Sequence, residues 1–400
     1  MAYFFVLGNN PTLSVAEIFA KFNLEEEKYH WADRDILVWE NKRSIDLKEA
    51  IRTMGGTVKM GEVIQEIQEK ELEAGIISIL EDNQKKTGQN KFKFGISFYG
   101  KDRLGIKDLA MNVKKKAKEH GLSCKWVGGK EKTLSSVAVE KNRLIDGGVE
   151  VVLFRKNKDC YFLGRTLAVQ PFEDLSYRDY GRPARDDRSG LLPPKLAQIM
   201  INLTGFDHNA ILADPFCGSG TVLTEALLMG YRKFIGTDAS SRATRDTKKN
   251  IQWITEHFGI KDHKGKIYEK EATKVSSFLE ENSVDIIVTE PFLGPQRGKH
   301  SRSKTARNLS KMYSEALEEF SKILKPSGKI VMVWPVFVAK KNFHNDLKFI
   351  FLELKGFKIK KILPEKVAKN PYAKLTKRGT IIYGRSGQKV WREIVVLEKN

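Results

Sequence analysis

The chain has 400 residues, of which 41% are apolar, and 70 Lys and Arg against 50 Asp and Glu give it a formal net charge of +20. The length exceeds one hydrophobic core and predicts two or three domains, while the positive excess points to a polyanion such as nucleic acid. No apolar run approaches a bilayer span, the opening MAYFFVLGNNPTLSVAEIF lacks the basic start of a signal peptide, and Cys124, Cys160 and Cys217 are too scattered for a zinc site or a disulfide framework. These features predict a cytoplasmic protein with no metal and no membrane contact.

In chain order, YFFVLG (3–8) reads as a strand, LSVAEIFAKF (13–22) as a helix, ILVWE (36–40) as a strand and DLKEAIRTM (46–54) as a helix closed by Gly55-Gly56. Residues 1–90 are thus expected to form a small α+β region. Residues 91–168 read as a second one. KFKFGISFYG (91–100) alternates like a half-buried strand, and IKDLAMNVKKKAKEHG (106–121) is a basic helix with Lys114, Lys115 and Lys118 on its exposed side. SCKWVGG (123–129), TLSSVAVEKNRL (133–144), VEVVLFR (149–155) and DCYFLGRTLAVQ (159–170) all look strand-like.

Residues 169–195 carry four prolines and several arginines, the chemistry of a linker. A helix resumes at KLAQIMINLTG (195–205). From there to residue 400, apolar strands alternate with amphipathic helices, which predicts a mostly parallel sheet covered on both faces. Strands are expected at ILADPF, KFIGTDA (233–239), KIYEKEA (266–272), VDIIVTE (284–290) and KIVMVWPV (329–336), and the tail adds further strands at an edge.

Ligands of such sheets sit beyond the carboxyl ends of the strands. Here the first strand runs into Asp214-Pro215-Phe216-Cys217-Gly218-Ser219-Gly220-Thr221, a turn whose glycines let backbone approach a ligand closely. Asp238, followed by Ala239, ends the next strand and suits a ribose diol. Leu223 stands where a dinucleotide fingerprint needs a small residue, and no phosphate-gripping Lys follows. Acids on both sides of the turn favour a ligand with a cationic end, such as S-adenosylmethionine. Glu271-Ala272, at the third strand end, can address the adenine.

The fourth strand delivers Thr289-Glu290-Pro291-Phe292. An exocyclic base amine is a poor nucleophile because its lone pair is delocalised. An acceptor such as Glu290 favours the pyramidal nitrogen and then takes its proton, and Phe292 can stack on an extruded base. The following stretch, QRGKHSRSKTARNLSK (296–311), holds Arg297, Lys299, Arg302, Lys304 and Arg307, which suit a phosphate backbone.

Several of these segments, in order, resemble the THUMP-domain tRNA guanosine-N2 methyltransferases, the archaeal and eukaryotic group acting on position 10 of tRNA. They are FFVLGNNPTLSVAEI, LSSVAVEKNRL, YFLGRTLAVQ, SYRDYGRPARDDRSGLLPPKLAQIMINL, DPFCGSGTVLTEAL and YGRSGQKVWREI. The resemblance implies a ferredoxin-like N-terminal region (1–90), a THUMP RNA-binding domain (91–168), a linker (169–195) and a Rossmann-like methyltransferase domain (196–400) with a seven-stranded sheet. It implies S-adenosylmethionine at Asp214 through Thr221 with Asp238 on the ribose. Tyr180, Arg182 and Pro193-Pro194-Lys195 would border that pocket, with Arg182 also reaching the RNA. The partner is tRNA, the protein is expected to act as a monomer, and a partner subunit stays open. The family's fourth motif is normally Asp-Pro-Pro-Tyr-Gly. The best match places Glu290 at the acid and Leu293 at the aromatic, and a shift by one puts Thr289 at the acid. Methylation of another exocyclic amine in RNA or DNA, and an RNA-binding protein without activity, stand as alternatives.

Overall fold

Alternation of apolar residues lays down two separate sheets, one in each half of the chain. The computed structural model describes all residues except 25–27, 42–43, 102–103, 130, 159, 186–190, 296–300 and 342–343; 339–341 and 344–346 are described by backbone alone. The chain forms two units, one of Met1–Val15 with Glu25–Glu173, the other of Ala16–Leu24 with Asp174–Asn400.

The first sheet has eight strands. They are β1 (Ala2–Leu7), β2 (Tyr29–Asp33), β3 (Ile36–Glu40), β4 (Thr57–Gln68), β5 (Lys91–Tyr99), β6 (Ser123–Val127), β7 (Val149–Arg155) and β8 (Cys160–Val169). Helix α1 (Pro11–Phe22) follows β1, and α2 (Leu47–Arg52), α3 (Leu72–Thr87), α4 (Ile106–Glu119) and α5 (Ser136–Lys141) lie between later strands. The order is β2-β3-β1-β4-β8-β7-β5-β6. The boundary expected at residue 90 therefore does not separate two sheets, because β4 pairs antiparallel with β8 over most of its length. A second expectation is corrected at TLSSVAVEKNRL. Its apolar residues alternate like a strand, but the Ser135 hydroxyl accepts from the Ala138 amide at 3.1 Å and starts α5 instead.

One buried polar network crosses this unit. The Lys59 ammonium meets the Glu150 carboxylate at 2.5 Å and the Leu134 carbonyl at 2.6 Å. Ser97 and Thr166 donate to the same carboxylate at 2.6 and 2.5 Å. Lys59 and Glu150 are almost wholly removed from solvent. Such a pair is tolerated because every oxygen of the carboxylate has a donor.

The second unit carries α6 (Phe172–Tyr180), inside the stretch expected to be only linker, and α7 (Pro194–Leu203), whose first residue is a proline with no amide to satisfy. There follow β9 (Leu212–Asp214), α8 (Thr221–Leu228), β10 (Lys233–Asp238), α9 (Ser241–Phe258), β11 (Lys264–Glu269), β12 (Val284–Thr289), α10 (Arg302–Ile323) and β13 (Leu324–Lys341). The tail supplies β14 (His344–Phe349), β15 (Phe357–Lys360), β16 (Ile381–Tyr383) and β17 (Val390–Lys399). The main path of the sheet is β11-β10-β9-β12-β13-β17-β15, seven strands as expected, with β14 on β13 and β16 on β17 as additions. The first five of that path run parallel, and β17 runs antiparallel to β13. This is a doubly wound, Rossmann-like α/β fold. The order reverses beside β9, so the carboxyl ends of β9, β10 and β12 open onto one crevice. Among the described residues no helix is long and apolar enough to cross a membrane.

Candidate active site

A cleft of about 600 Å³ lies beyond those strand ends. The structure brings into it Asp214, Pro215, Phe216, Cys217, Gly218, Ser219 and Thr221 from the turn, Asp238 and Ala239 after β10, Glu271 and Ala272 after β11, and Glu290, Pro291 and Phe292 after β12. Four strand ends thus meet at one place, because their register aligns Gly236 with Asp214, Ile287 with Ala213 and Asp238 with Glu269.

The turn is held from below. Gly220 sits at φ +85° and its amide donates to the Cys217 carbonyl at 2.7 Å, closing the turn into α8. Thr247 of α9 donates to the Gly218 carbonyl at 2.8 Å, and Asn250 donates to the Ser219 carbonyl at 2.8 Å and to the Ala184 carbonyl at 2.9 Å. Gly218, at φ +53°, is different: a Cβ there would meet nothing within 4 Å, so the space beside it belongs to the cleft. Its amide donates to Asp238 Oδ2 at 3.0 Å, and the Ser240 amide donates to Oδ1 at 2.9 Å. Asp238 is therefore fixed with acceptor capacity to spare, as a vicinal diol requires.

Asp214 is buried, and burial pushes its carboxyl up to about 7. The Thr289 hydroxyl (2.6 Å) and the Phe216 amide (3.2 Å) donate to Oδ1 and oppose that rise. Burial also pushes the Cys217 thiol far up, which makes it a packing group. Among the described residues, five acids, Asp214, Asp238, Asp246, Glu271 and Glu290, and one base, Arg242, line the cleft. That balance repels a pyrophosphate and favours a cation. Glu271 is partly spent, since Lys274 meets it at 2.8 Å and holds its carboxyl below the usual range.

The substrate end pairs an acid with an aromatic. Phe292 is 51% exposed at the cleft, and its carbonyl accepts from the buried Tyr313 hydroxyl at 2.7 Å. Glu290 is not free: both its oxygens accept from Arg392 of β17, the Nη2 bond to Oε1 being 3.1 Å. Arg392 is the residue that sequence reasoning missed, along with the cleft residues Leu191, Leu192, Arg242, Asp246 and Met312.

Other expectations are corrected. Gly220, Tyr180, Arg182, Pro193, Pro194 and Lys195 do not line the cleft. Gly220 faces Thr247, Pro194 is buried at the start of α7, and Tyr180 and Lys195 are exposed elsewhere. Arg182, expected on the RNA side, is 7% exposed; its guanidinium donates to Thr221 Oγ1 at 2.7 Å and to the Arg178 carbonyl at 3.0 and 3.1 Å, supporting the start of α8. Lys114, Lys115 and Lys118 are exposed on α4, and Arg302, Lys304 and Arg307 are exposed on the first turns of α10. Arg297 and Lys299 lie outside the described residues.

Comparison with known proteins gives matches across both units. A family model described as RMKL-like, methyltransferase domain, matches residues 182–348, and one described as DNA methylase matches residues 3–249. A tRNA (guanine(10)-N2)-dimethyltransferase of Methanothermobacter thermautotrophicus is 34% identical over 178 residues, 44% of this chain and 48% of that protein. The chain thus spans about half the length of that relative. A protein of Methanothermococcus thermolithotrophicus, named as a probable tRNA (guanine(10)-N2)-dimethyltransferase, is 34% identical over 159 residues, 39% of this chain and 86% of that protein. The crystal structure of TrmN from Thermus thermophilus superimposes with a TM-score of 0.54 over 100% of both chains at 15% identity, a likeness of fold.

Proposed function

The chain belongs to the tRNA (guanine(10)-N2)-methyltransferase family, and on that footing we propose that it methylates the exocyclic N2 of a guanosine in tRNA, at position 10, with S-adenosylmethionine as donor. The observation that carries the reading is the meeting of the glycine turn, the Asp238 carboxylate and the Glu290-Pro291-Phe292 strand end in one acid-lined cleft. When bound, the donor supplies a methyl group already activated by its sulfonium. The residues fit it: Gly218 leaves room, Asp238 offers acceptors for the ribose, and the excess of acids suits the cationic methionine end. Phe292 gives an extruded guanine a face to stack on. Glu290 accepts a hydrogen bond from the target amine and so aligns its nitrogen.

In this reading the first unit grips tRNA as a THUMP module, using Lys114, Lys115 and Lys118, while Arg302, Lys304 and Arg307 meet phosphates beside the cleft. The protein works in the cytoplasm. The match to a DNA methylase model favours a second reading, transfer to the amine of another base. Incubating the full chain with unmodified tRNA and labelled donor, followed by nucleoside mass spectrometry, separates the readings. N2-methylated guanosine supports the first, a different methylated base supports the second, and RNA binding without transfer overturns both.

A further inference from the structure

We infer that Arg392 is a positioning residue for methyl transfer, which acts by locking Glu290 as a charged hydrogen-bond acceptor of one orientation; this rests on reading the cleft as an amine methyltransferase site. Glu290 stands where β12 ends, and Arg392 reaches it from β17, two strands away in the sheet. The contact is a two-pronged one, Nε and Nη2 each on its own carboxylate oxygen, which fixes the carboxylate plane as a single ammonium cannot. Arg392 is 8% exposed and stands opposite Pro335 of β13, so its own side chain has little freedom. Its Nη2 also donates to the Leu191 carbonyl at 3.4 Å, tying a residue of the cleft wall to the same cation.

Two chemical consequences follow. The Asp214 carboxyl and the Tyr313 phenol lie close enough to feel the charge of Glu290. Without the guanidinium, no contact among the described residues holds the Glu290 carboxylate in place beside the Asp214 carboxyl, and it is free to turn away. With the guanidinium, the two-pronged contact holds the carboxylate in one orientation, and a carboxylate only accepts. Arg392 uses two of the carboxylate's roughly four lone-pair sites, which leaves acceptor capacity on a residue that lines the cleft. The group set against Glu290 must then be a donor, such as an amine N–H, and a ring nitrogen carrying a bare lone pair is turned away. The glutamate in the altered fourth motif thus has a partner elsewhere in the chain that fixes its extra methylene.

The test uses the full chain in four variants: Arg392→Gln, Arg392→Lys, Glu290→Gln and the double Arg392→Gln/Glu290→Gln. Arg392→Gln is expected to lower kcat on tRNA about 100-fold while the donor Kd from calorimetry moves by no more than about threefold. Arg392→Lys keeps the charge with one point of contact and is expected to recover part of the loss. The double variant is expected to be no slower than Glu290→Gln alone, because the arginine acts through the glutamate. Additive losses overturn the inference, as does wild-type kcat in Arg392→Lys should Arg392→Gln fail to fold. A crystal structure of Arg392→Gln or Arg392→Lys gives a readout independent of turnover: a Glu290 carboxylate in its original orientation refutes the lock. If the wild-type protein leaves tRNA unmethylated, the functional reading fails, and the carboxylate orientation still judges this inference.

Discussion

Two glycines two residues apart in the same turn are expected to respond very differently to one added methyl group. At Gly220 the backbone is left-handed at φ +85°, and a Cβ would meet Thr247 Cγ2 at 2.9 Å and Oγ1 at 3.1 Å. Gly220→Ala therefore incurs about 1–2 kcal/mol of backbone strain and about 1–3 kcal/mol of overpacking, together about 2–5 kcal/mol. If Thr247 rotates to relieve the contact, it gives up its 2.8 Å bond to the Gly218 carbonyl, so relief in one place loosens the other. At Gly218, φ +53°, a Cβ has open space around it. Gly218→Ala therefore incurs only the backbone share, about 1–2 kcal/mol, and its methyl group projects into the ligand's space. Chemical denaturation of the two variants, beside calorimetry with S-adenosylmethionine, checks both halves. Gly220→Ala should unfold at clearly lower denaturant than Gly218→Ala, and Gly218→Ala should weaken donor binding about tenfold or more, a loss of about 1.4 kcal/mol. Equal stability of the two variants, or wild-type donor affinity in Gly218→Ala, refutes the assignment of this space to the donor.

Asp214 predicts a pH dependence of stability. Its carboxyl is raised by burial from 3.8 to about 7, so the native state holds a proton that the unfolded chain releases. The stabilisation is full below about pH 4 and is lost as pH rises through about 7, at up to about 1.4 kcal/mol per pH unit. Glu225, raised to about 7 chiefly by burial, adds in the same direction. Asp214→Asn should flatten the decline in urea midpoint between about pH 5 and pH 7, and an unchanged slope would show the proton to sit elsewhere. In the first unit, Lys59→Met leaves the Glu150 carboxylate buried without a cation and should cost about 3–5 kcal/mol, with most of it recovered in Lys59→Met/Glu150→Leu. Equal loss in the single and double variants would contradict that account.

What the sequence discloses depends on how local each feature is. The alternating strands and helices after residue 211 follow from periodicity within single segments. The turn at 214–221 carries its chemistry in eight consecutive residues, so its place at a strand end was legible. Arg392 was not legible: it lies 102 residues from Glu290, and only the register of β13 against β17 brings the two together. Arg182 misleads for a related reason, since an arginine in a basic, proline-rich stretch reads as solvated, and only its bonds to the Arg178 carbonyl and the Thr221 hydroxyl draw it inside. At 133–144 β-branched residues imitate a strand, and a single serine cap decides for a helix. The long strand β4 hides in TVKMGEVIQEIQ, whose second half is mostly charged or polar because that end is largely exposed, while Lys59 near its start is buried against Glu150.

The pairing of β4 with β8 constrains how the N-terminal half can be cut. A fragment begun near residue 91 would keep β5 to β8 yet strip β8 of β4, one of its two neighbours, leaving an edge of unpaired amides and carbonyls along that side. Such a naked border invites strand addition by other copies and precipitation. Insolubility of that fragment would thus reflect an interrupted sheet, and a version of this unit meant to stand alone has to begin at the first strand.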